Sequence, residues 1–140
     1  MREYYKILII DDEEETLSAL QKNLVLEGFN VTTCNDSVKA IKMIKDEKFH
    51  IIITDIVMPK MDGLEVLKFA RSYDALTQVI MMTVHSTMEL TIQSLELGAN
   101  DYILKPFKSI DYIIEIINYS IEKLERWKQS IRDIVAREVF

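Results

Sequence analysis

The sequence predicts an α/β domain, a doubly wound parallel sheet with helices on both faces. Five short apolar runs alternate with segments whose apolar residues recur every three or four positions. The runs are continuously apolar, as strands covered on both sides are. Strands separated by helices pair in parallel through right-handed crossovers. A chain of 140 residues, 49% hydrophobic and 29% charged, is long enough and apolar enough to bury one core.

The elements follow in order. Ile7 to Ile10 form the first strand and end on Asp11 and Asp12; Leu17, Leu20, Leu24 and Val25 then mark one face of a helix. Asp12 and Glu15 have the spacing of a cap residue and its third helical position, and Gly28 supplies a stop. "NVTTC" is the second strand, and Val38, Ile41 and Ile44 pattern the second helix. "IIIT" is the third strand, ending at Asp55, and "PKMDG" closes the turn before a helix marked by Leu64, Val66, Leu67 and Ala70. "VIMMT" is the fourth strand. Ser86 to Glu89 reads as a capping box for a helix carrying Leu90, Leu95 and Leu97, which Gly98 ends. Tyr102 to Leu104 form the fifth strand, and a last helix runs from about Ile110 to about Val139.

Several classes are disfavoured. A net charge of -6 argues against a generally basic nucleic-acid-binding surface, so no direct nucleic-acid binding is expected. No apolar run reaches the roughly 20 residues that span a membrane, and the acidic stretch after Ile10 does not resemble a secretory signal, so a cytoplasmic location and no membrane partner are expected. Cys34 is the single cysteine and reads as a reduced, packed thiol. No Walker or Rossmann glycine motif is present, which leaves nucleotide-binding readings without support.

Taken singly, each strand-end acid reads as a solvated turn residue or a helix cap. A parallel sheet changes that, because all its strand ends point one way and ligands bind in the crevice beyond them. Asp11, Asp12, Asp55, Thr83 and Lys105 are thereby brought to one rim. Crowded carboxylates need a compensating cation, and oxygen ligands without histidine or thiolate favour Mg2+. Lys105 adds a positive charge and Thr83 a hydroxyl, which together with the acids are the parts of a phosphoryl-transfer site. Asp55 is placed to accept the group as an acyl phosphate.

"DD", "TDIVMPKMDG", "MMT" and "YILKP" occur in this order at successive strand ends, and over about residues 6 to 120 the chain resembles the receiver domain of two-component response regulators. The resemblance implies a flavodoxin-like sheet of order 2-1-3-4-5, with Asp55 phosphorylated by a sensor histidine kinase or histidine phosphotransfer protein. It further implies that Asp11, Asp12, Asp55 and the backbone carbonyl of Val57 arrange Mg2+, that Lys105 contacts the phosphoryl group, and that Thr83 and Tyr102 form the switch. Val57 and His85 occupy the positions that tune phosphoryl lifetime. Val57 lacks a side chain able to orient water, which implies slow dephosphorylation, and His85 either tunes turnover or simply faces solvent. His50 receives no function.

The last helix is longer than the sheet requires. At 1.5 Å per residue it would extend roughly 45 Å, beyond strands of about 10 to 17 Å. The expected division is a receiver unit at 1–120 and a helical extension at 121–140. A seam through Ile117, Ile121, Leu124, Lys128, Ile131 and Val135 predicts self-association, against a fold-back onto the domain or a linker to an output domain. Two other readings of the whole chain stand beside the receiver: a phosphorylation-independent binding or dimerisation module of the same fold, and a magnesium-dependent phosphohydrolase. The phosphohydrolase reading lacks a second acid beside Asp55 and a cap domain.

Overall fold

A computed structural model describes residues 2–139. After a 3-10 turn at Arg2–Tyr4, the chain alternates β1 (Lys6–Ile10), α1 (Glu14–Leu26), β2 (Asn30–Cys34), α2 (Ser37–Asp46), β3 (Ile51–Asp55), α3 (Gly63–Tyr73), β4 (Gln78–Thr83), α4 (Met88–Glu96), β5 (Asp101–Leu104) and α5 (Ile110–Val139). The sheet order is β2-β1-β3-β4-β5, and every pair is parallel. This is the order the resemblance implied.

Side chains alternate across the sheet, so each strand feeds two cores. Ile7, Ile9, Ile51, Ile53, Ile80 and Met82 pack with Leu17, Leu20 and Leu24 of α1 and with the inner face of α5. Leu8, Ile10, Ile52, Val79 and Met81 pack with Ala40 and Ile44 of α2 and with Val66, Leu67 and Ala70 of α3. Burial on both faces explains why the strands read as unbroken apolar runs.

Local expectations needed correction where tertiary packing chose a different helical face. Val25 and Val38 are about half exposed, and Ala40 takes the buried position in α2. In α4 Leu95 is exposed, and Ser94 is the one fully buried side chain, its hydroxyl bonded to Leu90 O at 2.8 Å. Two caps also shift. Helix α1 begins at Glu14 with Glu13 at the cap and no side-chain cap bond, so Asp12 lies outside the helix. Thr87, one residue after Ser86, caps α4 by accepting from Leu90 N at 3.1 Å. Gly28 and Gly98, at φ of 91° and 93°, occupy the left-handed region expected after a helix end.

Helix α5 runs antiparallel to the strands from the rim at Ile110. Ile113, Ile117, Ile121 and Leu124 are buried in the chain's own core. The first three positions of the expected seam are therefore spent internally. Trp127, Ile131, Ile134 and Val135 remain between 43% and 53% exposed, and they continue the same stripe beyond the domain body. Cys34 is a buried free thiol whose Sγ donates to Asp36 O. Among the described residues, no helix is long and apolar enough to cross a membrane.

Candidate functional site

Three strand ends build the site. Asp11 follows β1 directly and is fully buried; its backbone N–H donates to Cys34 O, and its Oδ1 accepts from Glu13 N at 2.9 Å. Asp12, the next residue, is exposed. Asp55 is the last residue of β3, and its Oδ1 accepts from Ile56 N at 2.7 Å. Lys105 leaves β5 with its backbone N–H bonded to Thr83 O, and its Nζ donates to Asp11 Oδ2 and, at 3.1 Å, to Asp55 Oδ2.

Asp11, Asp12 and Asp55 each offer a carboxylate oxygen within 4.8 Å of the others. Asp12 faces solvent, whereas the side chains of Lys105, Asp11 and Asp55 are only 7%, 0% and 6% exposed. Burial by itself would lower the Lys105 pKa, but the bonds and charges of Asp11 and Asp55 outweigh it and hold the ammonium above its ordinary value. Burial pushes the Asp11 carboxyl up, the charge of Asp55 adds to that, and Lys105 and the Glu13 amide offset only part. Three acids face one lysine. An oxygen-only cluster with that excess of negative charge can hold a metal ion.

The loop after β3 is folded tightly against the site, and Gly63 makes this possible. Gly63 N donates to Ile56 O at 2.7 Å, and a Cβ at this position would stand 2.1 Å from Asp55 O and 2.8 Å from Ile56 Cα. Only a residue without a side chain lets α3 begin this close to the strand end. Asp62 caps the helix by accepting from Glu65 N at 2.9 Å. Lys60 adopts φ of 69° at the loop tip, its Nζ 3.2 Å from Asp36 Oδ2. Val57 is 49% exposed, and among the described residues nothing donates a hydrogen bond to its carbonyl.

The other expected site residues are placed less uniformly. Thr83 is fully buried at the end of β4, with Oγ1 accepting from His85 N at 3.0 Å. The His85 side chain is exposed and joins neither the acids nor Lys105 by a hydrogen bond. Tyr102 packs against the core shared with α2 and α3, and its hydroxyl is buried without a partner. The structure thus clusters Asp11, Asp12 and Asp55, bonds Lys105 to Asp11 and Asp55, and leaves Val57, Thr83, His85 and Tyr102 outside that set of contacts. Gly63 was visible in sequence only as a turn residue; its close approach to Asp55 depends on how α3 meets β3.

Similarity to known proteins agrees with this geometry. The family model for the response regulator receiver domain matches residues 7–118. The alkaline phosphatase synthesis transcriptional regulatory protein PhoP of Bacillus subtilis is 40% identical over 102 residues, which are 73% of this chain and 42% of that protein. The chain thus matches less than half of that regulator's length. A CheY-like receiver domain protein from Methanospirillum hungatei superposes with a TM-score of 0.80 at 30% identity, covering 90% of this chain and 98% of the other. The response regulator TrrA of Thermotoga maritima, solved in complex with Mg(2+)-BeF, superposes with a TM-score of 0.75 at 28% identity, covering 83% and 98%.

Proposed function

The chain belongs to the response regulator receiver domain family, and from that premise we propose that Asp55 accepts a phosphoryl group from a phosphohistidine of a sensor histidine kinase or a histidine phosphotransfer protein. An Asp55 carboxylate oxygen attacks phosphorus, the phosphorus–nitrogen bond breaks, and the imidazole leaves with the electron pair. The observation that carries the reading is the cluster of three carboxylates at the ends of the neighbouring strands β1 and β3, with the Lys105 ammonium from the end of β5 bonded to two of them, Asp11 and Asp55. Mg2+, held by Asp11, Asp12, Asp55 and the Val57 carbonyl, would neutralise charge on the transferring oxygens. Lys105, already aimed at Asp55, turns its ammonium to the phosphoryl group, and the Thr83 hydroxyl donates to it once it is attached. Tyr102 responds to that new contact of Thr83. Val57 offers no group to orient an attacking water, so the acyl phosphate is lost slowly.

The proposed division is a receiver unit and a projecting helix. Core packing supports a boundary beyond residue 120, since Ile121 and Leu124 are buried. The exposed stripe of Trp127, Ile131, Ile134 and Val135 supports self-association through the projecting part. The central test is incubation with acetyl phosphate, with and without Mg2+, followed by intact mass. An adduct of about 80 Da, roughly one phosphoryl group, is expected in the wild type with Mg2+ and not in Asp55→Ala. An equal adduct in Asp55→Ala overturns the assignment.

A further inference from the structure

The end of the sheet opposite the acidic rim holds a second cluster of polar and aromatic groups, which the phosphoryl chemistry does not use. Tyr4 and Tyr5 lie just before β1, with their rings edge to face at 5.0 Å between centroids. Tyr5 is buried in the core, whereas Tyr4 is 59% exposed. Both rings also contact His50, whose Nδ1 accepts from Lys6 N at 3.0 Å and so ties the start of β1 to the residue preceding β3.

Helix α5 reaches this corner about one turn after its last buried leucine. Lys128 Nζ lies 4.3 Å from the Tyr4 ring centroid and 4.9 Å from that of Tyr5, and it donates to the two hydroxyls at 3.3 and 3.5 Å. The Tyr5 hydroxyl donates in turn to Glu125 Oε2 at 2.5 Å. Glu125 and Lys128 are three residues apart on one helix face, so both reach the tyrosines together. Beyond them, residues 129–138 are exposed.

We infer that Tyr4 and Tyr5 form a latch that grips Glu125 and Lys128 and makes the outgoing segment of α5 part of the rigid domain body. In sequence Lys128 reads as an interruption in an apolar seam. In the fold it is an anchor. The latch gives the ammonium two ring faces and two hydroxyl acceptors in place of part of its water, and it gives the buried Tyr5 hydroxyl a carboxylate acceptor. The consequence is directional. Because α5 is unbroken from Ile110 at the acidic rim, a latched helix carries any shift of its first turns to residues 129–138, whereas an unlatched one frays beyond Leu124.

Hydrogen exchange of the full chain tests this without any phosphoryl donor, so its outcome is independent of the chemistry assigned to Asp55. Lys128→Met retains the stem and removes the charge; Tyr5→Phe retains the ring and removes the hydroxyl. Each is expected to speed exchange of the amides of residues 125–132 by about three- to thirtyfold, while β1 and β3 amides stay protected. Combining the two substitutions should add less than the product of the single effects, because both open one latch. Unchanged exchange in both single variants overturns the inference. So does an equal rise in the strand amides, which would mean general destabilisation.

Discussion

Replacing Lys105 with methionine isolates the electrostatics of the acidic rim. The substitution keeps most of the stem and removes the ammonium that joins Asp11 to Asp55. Breaking a buried ion pair in this way costs about 3–5 kcal/mol, because it leaves uncompensated buried charge. A second route bounds the loss. The variant can relieve itself by protonating one carboxyl, and at pH 7 that costs about 4 kcal/mol for a reference pKa near 3.9. The expected destabilisation is therefore about 3–4 kcal/mol at pH 7. It has a definite pH dependence. Without Lys105 the folded-state pKa of Asp11, already raised, moves further above its unfolded value, so the folded state binds the extra proton. The penalty is complete well above that pKa and is relieved as pH falls through it; at about pH 5 the protonation route costs only about 1.5 kcal/mol. Urea unfolding followed by circular dichroism, in chelator, at both pH values measures the difference from wild type. A loss below about 1 kcal/mol at pH 7, or an equal loss at both pH values, would refute the reasoning. Added Mg2+ should restore part of the lost stability by binding the folded state alone.

Three further outcomes follow from single contacts. Gly63→Ala must push the Asp55 and Ile56 backbone apart from α3; it should cost about 1–3 kcal/mol in urea unfolding and slow phosphorylation at Asp55, and a neutral result would show that the loop relaxes freely. Tyr102→Phe removes a buried hydroxyl without a partner, so stability should stay level or rise by about 1 kcal/mol; a loss of that size would mean the hydroxyl is satisfied in solution. Burial first, then Lys48, Lys128 and Lys6, with only Asp74 opposing, hold the His50 pKa below its ordinary value. Its contribution to stability is thus complete above about pH 6.5 and is lost as pH falls through that value toward the lowered folded-state pKa. Wild type should lose more stability than His50→Gln between about pH 7.5 and about pH 5.5, and parallel losses would count against this account.

The strands and the acidic rim were legible because both depend on local pattern. Runs such as Ile51 to Ile53 have the length and composition of buried strands, and the residue ending each run falls on one edge of any parallel sheet. Asp11, Asp12, Asp55 and Lys105 could therefore be grouped before their contacts were known. Helix faces were less legible. Val25, Val38 and Leu95 fit a 3.6-residue period yet stand largely exposed, since the buried arc depends on where the helix lies on the sheet. The caps at Glu13 and Thr87 differ by one residue from the sequence pattern, because neighbouring polar residues compete for the same helix end.

By itself, the order of residues determined the fold class, the rim of acids and the length of the last helix, all consequences of periodicity and of the common direction of parallel strands. Only the tertiary structure decided what Gly63, His50 and Lys128 do. Gly63 matters through the backbone it nearly touches, His50 through a strand it stitches to its neighbour, and Lys128 through two tyrosines more than 120 positions away. Such contacts join parts of the chain with no shared local pattern, so they exist only once the sheet and its helices have packed.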